Sequence, residues 1–356
     1  MKNSFKLRRI FIALSCVYLL SGIAVSAASP KTKWWKGNTH THSLWSDGQD
    51  YPEMIADWYK KHGYNFLVLS DHNVLSRGQR WVNVDKRHTE SGIHEKYIDC
   101  FGTDWVQTRL VDDRKQVRLK PLNEFRHLFE EPGEFMLMQG EELTDKARVH
   151  VNAINTIKRI GPQGGKIKTQ ILQNNIDAVL EQQKQTGQKM IPHINHPNWH
   201  WTLTVEDIFP LAGEKFFELY NGGGTSINNI GDENHASTER MWDIILSMRL
   251  GVLNLPVMYG IATDDAHKYH QTGPNRATPG RAWIMVRSTH LTPEYILKAM
   301  EAGDFYATNG LTLEGIQFDG KILKIEVDAE PDVTYTTRFI GTKKRFDTKI
   351  TEHKFQ

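Results

Sequence analysis

Cysteine is almost missing from these 356 residues: Cys16 and Cys100 are the only two. Cys16 lies in an apolar N-terminal run, so at most Cys100 belongs to the folded part and no internal disulfide can staple it. Stability must come from a core, which a chain of this length can supply. An excess of charge of one sign is missing too. Lys and Arg number 44 against 42 Asp and Glu, for a formal net charge of +2. No basic tract of five or more residues occurs, so no nucleic-acid partner is expected. Internal repeats and low-complexity stretches are absent. So is any Gly-x-Ser-x-Gly, and no cysteine accompanies a histidine motif, which leaves covalent catalysis without support.

Long apolar runs are confined to one place, residues 10–25. Lys2, Lys6, Arg8 and Arg9 precede the run, and Val25-Ser26-Ala27 closes it with a small-x-small sequence. The three parts read as a secretory signal peptide over 1–27, cleaved before Ala28. The run is short for a membrane span and has no stop-transfer flank. Lipid attachment at Cys16 is the weaker reading, because Ala13 stands where a lipoprotein signal usually has leucine. The expected location is secreted or periplasmic, with no membrane association after signal removal. A mature chain of about 330 residues would carry a net charge of about −2.

What the chain does have is histidine, 16 in all, placed next to short apolar runs. Asn38-Thr39-His40-Thr41-His42 is followed by Asp47. An extended His-x-His points both imidazoles to one side, since strand side chains alternate with period two. Paired neutral imidazoles suit a divalent transition metal. Further runs end in Ser70-Asp71-His72, Gly140-Glu141-Glu142, His193-Ile194-Asn195-His196, Asn221-Gly222-Gly223-Gly224 and Asp264-Asp265-Ala266-His267, and another opens with His150. Any one such residue is more often a rim histidine bonded to backbone or a solvated acid. Taken together, His40, His42, Asp47, His72, Glu142, His150, His196, Asp265 and His267 exceed what one tetrahedral zinc accepts and suit two or three ions.

Helical spacing recurs between these runs. Segments open near Pro52 with Asp50 as cap, near Ile171, near Met241 and at Thr292-Pro293, and close at Gly63, Gly187, Gly251 and Gly303. Alternation of strands and helices predicts an α/β fold with a mostly parallel sheet. Functional residues just past strand ends favour a barrel, whose C-terminal rim gathers such loops. A doubly wound open sheet would call for a glycine-rich turn after the first strand, and His-x-His stands there instead. The expected domains are a barrel over 28–310, with 73–134 as a lid insertion, and a small β-rich tail over 311–356 that includes a strand at 334–339.

The order His-x-His…Ser-Asp-Gly, Ser-Asp-His, Gly-x-Glu, His, His-Pro, Asp-x-His resembles the PHP (polymerase and histidinol phosphatase) metallohydrolase superfamily over about residues 34–310. His-Val-Asn-Ala-Ile-Asn at 150–155, Asn195-His196-Pro197-Asn198-Trp199, Tyr220-Asn221-Gly222 and Thr263-Asp264-Asp265-Ala266-His267 are similar to its exported, carbaryl hydrolase-like (CehA/McbA) branch. The resemblance implies a distorted (β/α)7 barrel of PHP type with two or three divalent ions (Zn, Mn or Fe) at the rim. His40 and His42 would hold one ion with Glu142 and Asp265. Glu142 would bridge to a second, held by His150 and His196. Asp47, His72 and His267 would surround a third, which Asp47 leaves open because some relatives carry histidine there. Glu141, His193 and Asp264 compete with Glu142, His196 and Asp265. The Gly-x-Glu pattern, the following Pro197 and the Asp-x-His spacing favour the latter three.

The chemistry expected of such a centre is hydrolysis by a metal-bridging hydroxide of a small-molecule substrate, with phosphoesters first. Asp265, His72 and His267 are the catalytic candidates, the two histidines as proton shuttles. Lys146, Arg148, Asn195, Asn221, His270 and Arg281 are candidate substrate contacts and would suit an anion, although each taken alone reads as a solvated loop residue. A carbamate, ester or amide hydrolase using the same ions is the alternative. A non-catalytic, metal-stabilised protein that binds glycans through Trp199, Trp201 and the β tail is a third reading.

Overall fold

The computed structural model of the chain describes residues 31–84, 92–224, 227–271, 273 and 275–341. The expected signal segment and the end of the expected β tail lie outside the described residues. Among the described residues no helix is long and apolar enough to cross a membrane.

The chain opens with β1 (Lys33–Asn38), α1 (Pro52–Lys61) and β2 (Phe66–Leu69). An insertion follows, with β3 (Arg80–Asn83), α2 (Ile93–Phe101), β4 (Thr108–Val111), β5 (Arg114–Leu119) and α3 (Leu122–Phe125). Then come β6 (Met136–Thr144), β7 (His150–Ile154), α4 (Lys168–Thr186), β8 (Ile191–Ile194), α5 (Val205–Ile208) and β9 (Phe216–Asn221). The chain continues through α6 (Thr238–Gly251), β10 (Tyr259–Thr263), β11 (Trp283–Ser288), α7 (Pro293–Ala302) and β12 (Phe305–Thr308), and β13 (Leu313–Phe318) and β14 (Leu323–Val327) form a final hairpin.

Nine strands make one sheet in the order β10-β9-β8-β7-β6-β2-β1-β11-β12. Its edge strands β10 and β12 come face to face, so the sheet is a nearly closed barrel of mixed α/β type. It is not mostly parallel, as the alternation of elements had suggested. β1-β2, β2-β6, β8-β9 and β9-β10 run parallel, and β6-β7, β7-β8, β1-β11 and β11-β12 run antiparallel. At the rim, an isolated bridge between Thr41 and Ala266 joins the extension of β1 to that of β10.

Period-two alternation sorts the side chains. Phe66 and Val68 of β2 and Met136 and Met138 of β6 point into the barrel, where Ile191, Phe216, Ile261 and Ile284 join them. These residues fill one end of the barrel, and Ile296, Leu297 and Met300 of α7 pack against it. Leu67, Leu69 and Leu137 point outward onto Ile55, Ala56 and Tyr59 of α1. Strands β7, β8 and β9 are covered on the outside by α4, α5 and α6. A Cβ at Gly37 would come within 2.1 Å of the Phe66 ring, so only glycine fits beneath it. The cap expected from Asp50 is not made. Tyr51 is the N-cap residue of α1 without a side-chain cap, and Asp50 Oδ1 instead accepts from the Tyr51 N–H at 2.8 Å.

Residues 73–134 are more regular than their composition suggests. β3, β5 and β4 pair antiparallel into a separate sheet, which with α2 packs its own small core. In the tail, the hairpin of β13 and β14 is formed, but 334–339 is not a strand.

Candidate metal centre

The alternation that builds the core at one end builds the site at the other. Along β6, Met136, Met138, Gly140 and Glu142 alternate inward, and Glu141 and Leu143 alternate outward. Glu142 is therefore the acid that faces the barrel axis. Glu141 turns away and accepts the Gly161 N–H at 3.2 Å. β7 runs back antiparallel, so its first residue, His150, arrives at the same rim. The ends of β1, β2, β8 and β10 deliver His40 and His42, His72, His196, and Asp265 and His267.

The result is a buried carboxylate ringed by imidazoles. Glu142 has His72 Nδ1 at 2.5 Å, His150 Nδ1 at 2.9 Å, His196 Nε2 at 3.3 Å, His40 Nε2 at 3.5 Å and His42 Nε2 at 3.6 Å. His40 Nε2 and His42 Nε2 are 3.1 Å apart, and both face Asp265 Oδ1, at 3.2 and 3.1 Å. Asp47 lies 3.7 Å from His42, 3.5 Å from His72 and 3.4 Å from His267. Four overlapping groups bring ligand atoms within 4.8 Å of one another: His42-Asp47-His72-His267, His40-His42-Glu142, His40-His196-Asp265 and His72-Glu142-His150. The structure thus gathers all nine candidates on one rim.

Charge follows this geometry. Burial alone would raise Glu142, but His72, His150 and His40 hold it well below the ordinary carboxylate range. Asp265 is held low in the same way by His40, His42 and His267. Burial, with His267 and His72 beside it, lowers His42 to about 3. Against its own burial, His72 is pushed up to about 11 by Glu142 and Asp47.

One important residue was missed in the sequence. Glu218, inward on β9 and fully buried, accepts from His40 Nδ1 at 2.7 Å and the His196 N–H at 2.6 Å. It also accepts from Thr263 Oγ1 at 2.7 Å and Asn221 Nδ2 at 2.8 Å. It is thus tied to β1, β8, β10 and its own strand, and it directs His40 Nε2 at the cluster. The signal that could have found it is a lone acid at an inward position of an apolar strand.

The competing residues have other employment. Asp264 accepts from Tyr59 Oη at 2.7 Å and from the N–H groups of Gly280, Arg281 and Ala282 at 2.9, 2.6 and 2.9 Å. His193 points inward below His40, ring centroids 6.2 Å apart, and burial lowers it to about 4. Two residues facing the cluster, His196 (φ 21°) and Asp265 (φ 47°), have positive φ, a conformation uncommon outside glycine that aspartate and histidine enter more readily than most.

The residues fit divalent metal. Two imidazole nitrogens that both face one carboxylate oxygen at about hydrogen-bond distance have lone pairs to share and too few protons to share them through. Buried His42 Nδ1 lacks a hydrogen-bond partner, with Asp47 Oδ1 3.7 Å away. Cations among these nitrogens and carboxylate oxygens would satisfy both.

A cavity of about 520 Å³ opens above the cluster, lined by Asp47, His72, His150, His196, Asp265 and His267, and also by Arg148, Trp199 and Lys268. Of the six candidate substrate contacts, only Arg148 lines it, with its guanidinium 6.0 Å from the Trp199 ring. Asn195 and Asn221 lie deeper. Asn195 donates to Glu142 Oε1 at 2.7 Å, and Asn221 donates to Glu218 and to Asp265 Oδ2, the latter at 3.3 Å. Lys146 is exposed, His270 faces Asp50 at 2.8 Å, and Arg281 donates to the Gly273 and Arg276 carbonyls. Lys268 was not anticipated. Trp201 stacks on His235, centroids 4.0 Å apart, and does not line the cavity. A second cleft, about 480 Å³, lies by Leu219, Asn229 and Asn309 with Glu239 as its one acid, and holds no comparable cluster.

No family model matches the chain, and no curated protein matches it. Among solved structures, it is similar to a two-domain protein containing a predicted PHP-like metal-dependent phosphoesterase from Bacteroides vulgatus ATCC 8482. The identity is 15%, over 84% of this chain and 78% of that one, with a TM-score of 0.42.

Proposed function

We infer that this chain is a metal-dependent hydrolase of the PHP type, acting on a small phosphoester. The observation that carries the reading is the Glu142 carboxylate with five imidazole nitrogens within 3.6 Å. Protons alone do not account for it, because one carboxylate cannot satisfy so many imidazolium ions in a buried place. Divalent ions bound there, whether Zn, Mn or Fe, would supply Lewis acidity at the cavity floor. His40, His42, Glu142, His150, His196 and Asp265 would hold them, and His42, Asp47, His72 and His267 form a further, more open position.

The chain's own groups do the rest. Arg148 and Lys268 line the cavity and would orient an anionic group over the cluster. Where no ion lies beside Asp47, His72 and His267 face the cavity on either side of it and would hand a proton to the departing oxygen. Trp199 in the cavity wall favours an aryl or other flat group on the substrate, and so keeps an aryl carbamate or ester as the second reading. The motif order supports the PHP assignment, and residues 1–27 alone support export.

The test is elemental analysis followed by hydrolysis of bis-p-nitrophenyl phosphate and an aryl carbamate at equal metal loading. We expect bound divalent metal and faster phosphodiester turnover. Glu142→Gln should cost more than the ~100-fold typical of losing a supporting group. A metal-free protein that turns over neither substrate after Mn²⁺ or Zn²⁺ addition would refute the reading.

A further inference from the structure

None of the described residues of the 73–134 insertion lines the cavity. They pack beside the rim instead, on Tyr51 and Glu53 at the start of α1 and on Trp45 of the loop between His42 and Asp47. Trp45, 1% exposed, is buried among Tyr97, Val106, Val117 and Leu119 of the insertion. Its Nε1 donates to the Lys120 carbonyl at 3.4 Å, and the Arg80 guanidinium lies 5.9 Å from its ring. We propose that the insertion is a buttress for Asp47. By burying Trp45 it fixes the 43–48 loop, and thereby the position at which His42, Asp47, His72 and His267 take a divalent cation.

Asp47 needs such support more than the other acids of the cluster. Glu142 and Asp265 are buried at strand ends, whereas the Asp47 side chain is 54% exposed on a loop. Ser46 Oγ lies 3.4 Å from it but gives its one hydrogen to Asp71, at 2.6 Å. The place of Asp47 is therefore set by the backbone around it. The barrel holds that backbone at two points. Asp71 accepts from the Ser43 N–H and Oγ, both at 2.8 Å, and from Ser46 Oγ at 2.6 Å, and the Gln49 N–H donates to the His267 carbonyl at 2.9 Å. The insertion holds the middle, through Trp45, two residues before Asp47. The loop has no slack: a Cβ at Gly48 would fall 2.2 Å from the His42 carbonyl oxygen, so residues 42 and 48 already touch. The Ser46 and Gly48 N–H groups both donate to the Ser43 carbonyl at 3.0 Å, so 43–48 is one tight turn through which a shift of Trp45 would reach Asp47.

The proposal rests on the metal-centre reading, and the experiment separates the two. Metal-stripped full-length protein is titrated with Mn²⁺ alone by calorimetry, bound metal is counted after gel filtration, and thermal melts are recorded. Wild type is compared with Trp45→Ala, Trp45→Phe, Val117→Ala, Asp47→Asn and Glu142→Gln. Trp45→Ala and Asp47→Asn should weaken the same class of Mn²⁺ site roughly tenfold or more, as loss of a supporting group does, and leave the remaining ions in place. Trp45→Phe, which keeps a ring in the pocket, should restore much of that class. The buttress is overturned if Trp45→Ala or Asp47→Asn binds every ion as wild type does. It is also overturned if Trp45→Ala weakens all classes in step with its melting temperature. Should Trp45→Ala not fold, Val117→Ala decides: weakening of the Asp47 class alone supports the proposal, and unchanged binding overturns it. Glu142→Gln binding like wild type would overturn the metal centre and the buttress together.

Discussion

His40 shows how much a single side chain in this cluster depends on its far nitrogen. With Nδ1 bonded to Glu218, Nε2 is free to face Asp265 and His42. Glu218 receives four donors, two on each oxygen: His40 Nδ1 and Thr263 Oγ1 on Oε1, and the His196 N–H and Asn221 Nδ2 on Oε2. Glu218→Gln would set an amide NH₂ against one of those pairs. It is expected to lower metal affinity ~10–100-fold while the fold persists, as measured by Mn²⁺ or Zn²⁺ titration and circular dichroism. The His-x-His at 40–42 was legible because its spacing is itself a geometry. Glu218 was not, because in Phe216-Phe217-Glu218-Leu219 it looks like an interruption in an apolar run. Only the strand register, with Phe216 and Glu218 both inward, exposes it. Arg281 and His270 do not line the cavity, because a loop position near a strand end says nothing about which way the loop folds.

Among elements, the strands' existence was legible and their direction only in part. The apolar runs before His72, Glu142 and Asp265 are strands β2, β6 and β10. But Thr144 and His150 are separated by five residues, far too few for a crossover between parallel strands. That short link makes β6 and β7 an antiparallel hairpin, and it explains why His150 opens its strand where the others follow theirs. The insertion hid its sheet because β4 is exposed throughout and β3 is half-exposed, so no buried face imposed an apolar alternation. Its turn, Asp112-Asp113, takes left-handed φ of 47° and 57°, a tight hairpin that acidic residues tolerate.

The link into β9 carries a pH-sensitive group of its own. Burial raises Glu214 to about 8, although the Phe216 and Lys215 N–H groups and Arg249 pull the other way. A carboxyl raised in the folded state contributes stability that is complete below its unfolded value, near 4.5, and lost as pH climbs through about 8. Glu214→Gln removes that loss. Its melting temperature relative to wild type should therefore rise from pH 5 to about pH 8 and level off above that. A constant difference across that range would contradict the assignment.

For the molecule as a whole, the sequence was enough to bring the nine candidate residues to one rim, because all but Asp47 came with a strand end to carry them. It was not enough to give the direction of every strand or their count: the run Arg281 to Val286 reads as a strand and corresponds to β11, but β12 contributes no candidate ligand and left no motif. Nor did it show that the insertion shares a core with the barrel's own chain, Tyr97, Val117 and Leu119 closing around Trp45 and Tyr51 apart from the cores inside and outside the sheet. Cys100 being free, no disulfide joins these cores among the described residues.

The gap between β10 and β12 turns this barrel into a split ring. Only the single Thr41–Ala266 bridge crosses at the rim, and beside it Asp265, leaving β10, faces His40 and His42, leaving β1 two strands in from β12. An ion shared by those three side chains would act as a stitch reinforcing that one bridge. Chelation should therefore loosen the lips before the hinge. Amide exchange should quicken in β10 and β12 ahead of β6 and β7, and the melting temperature should fall with metal removal.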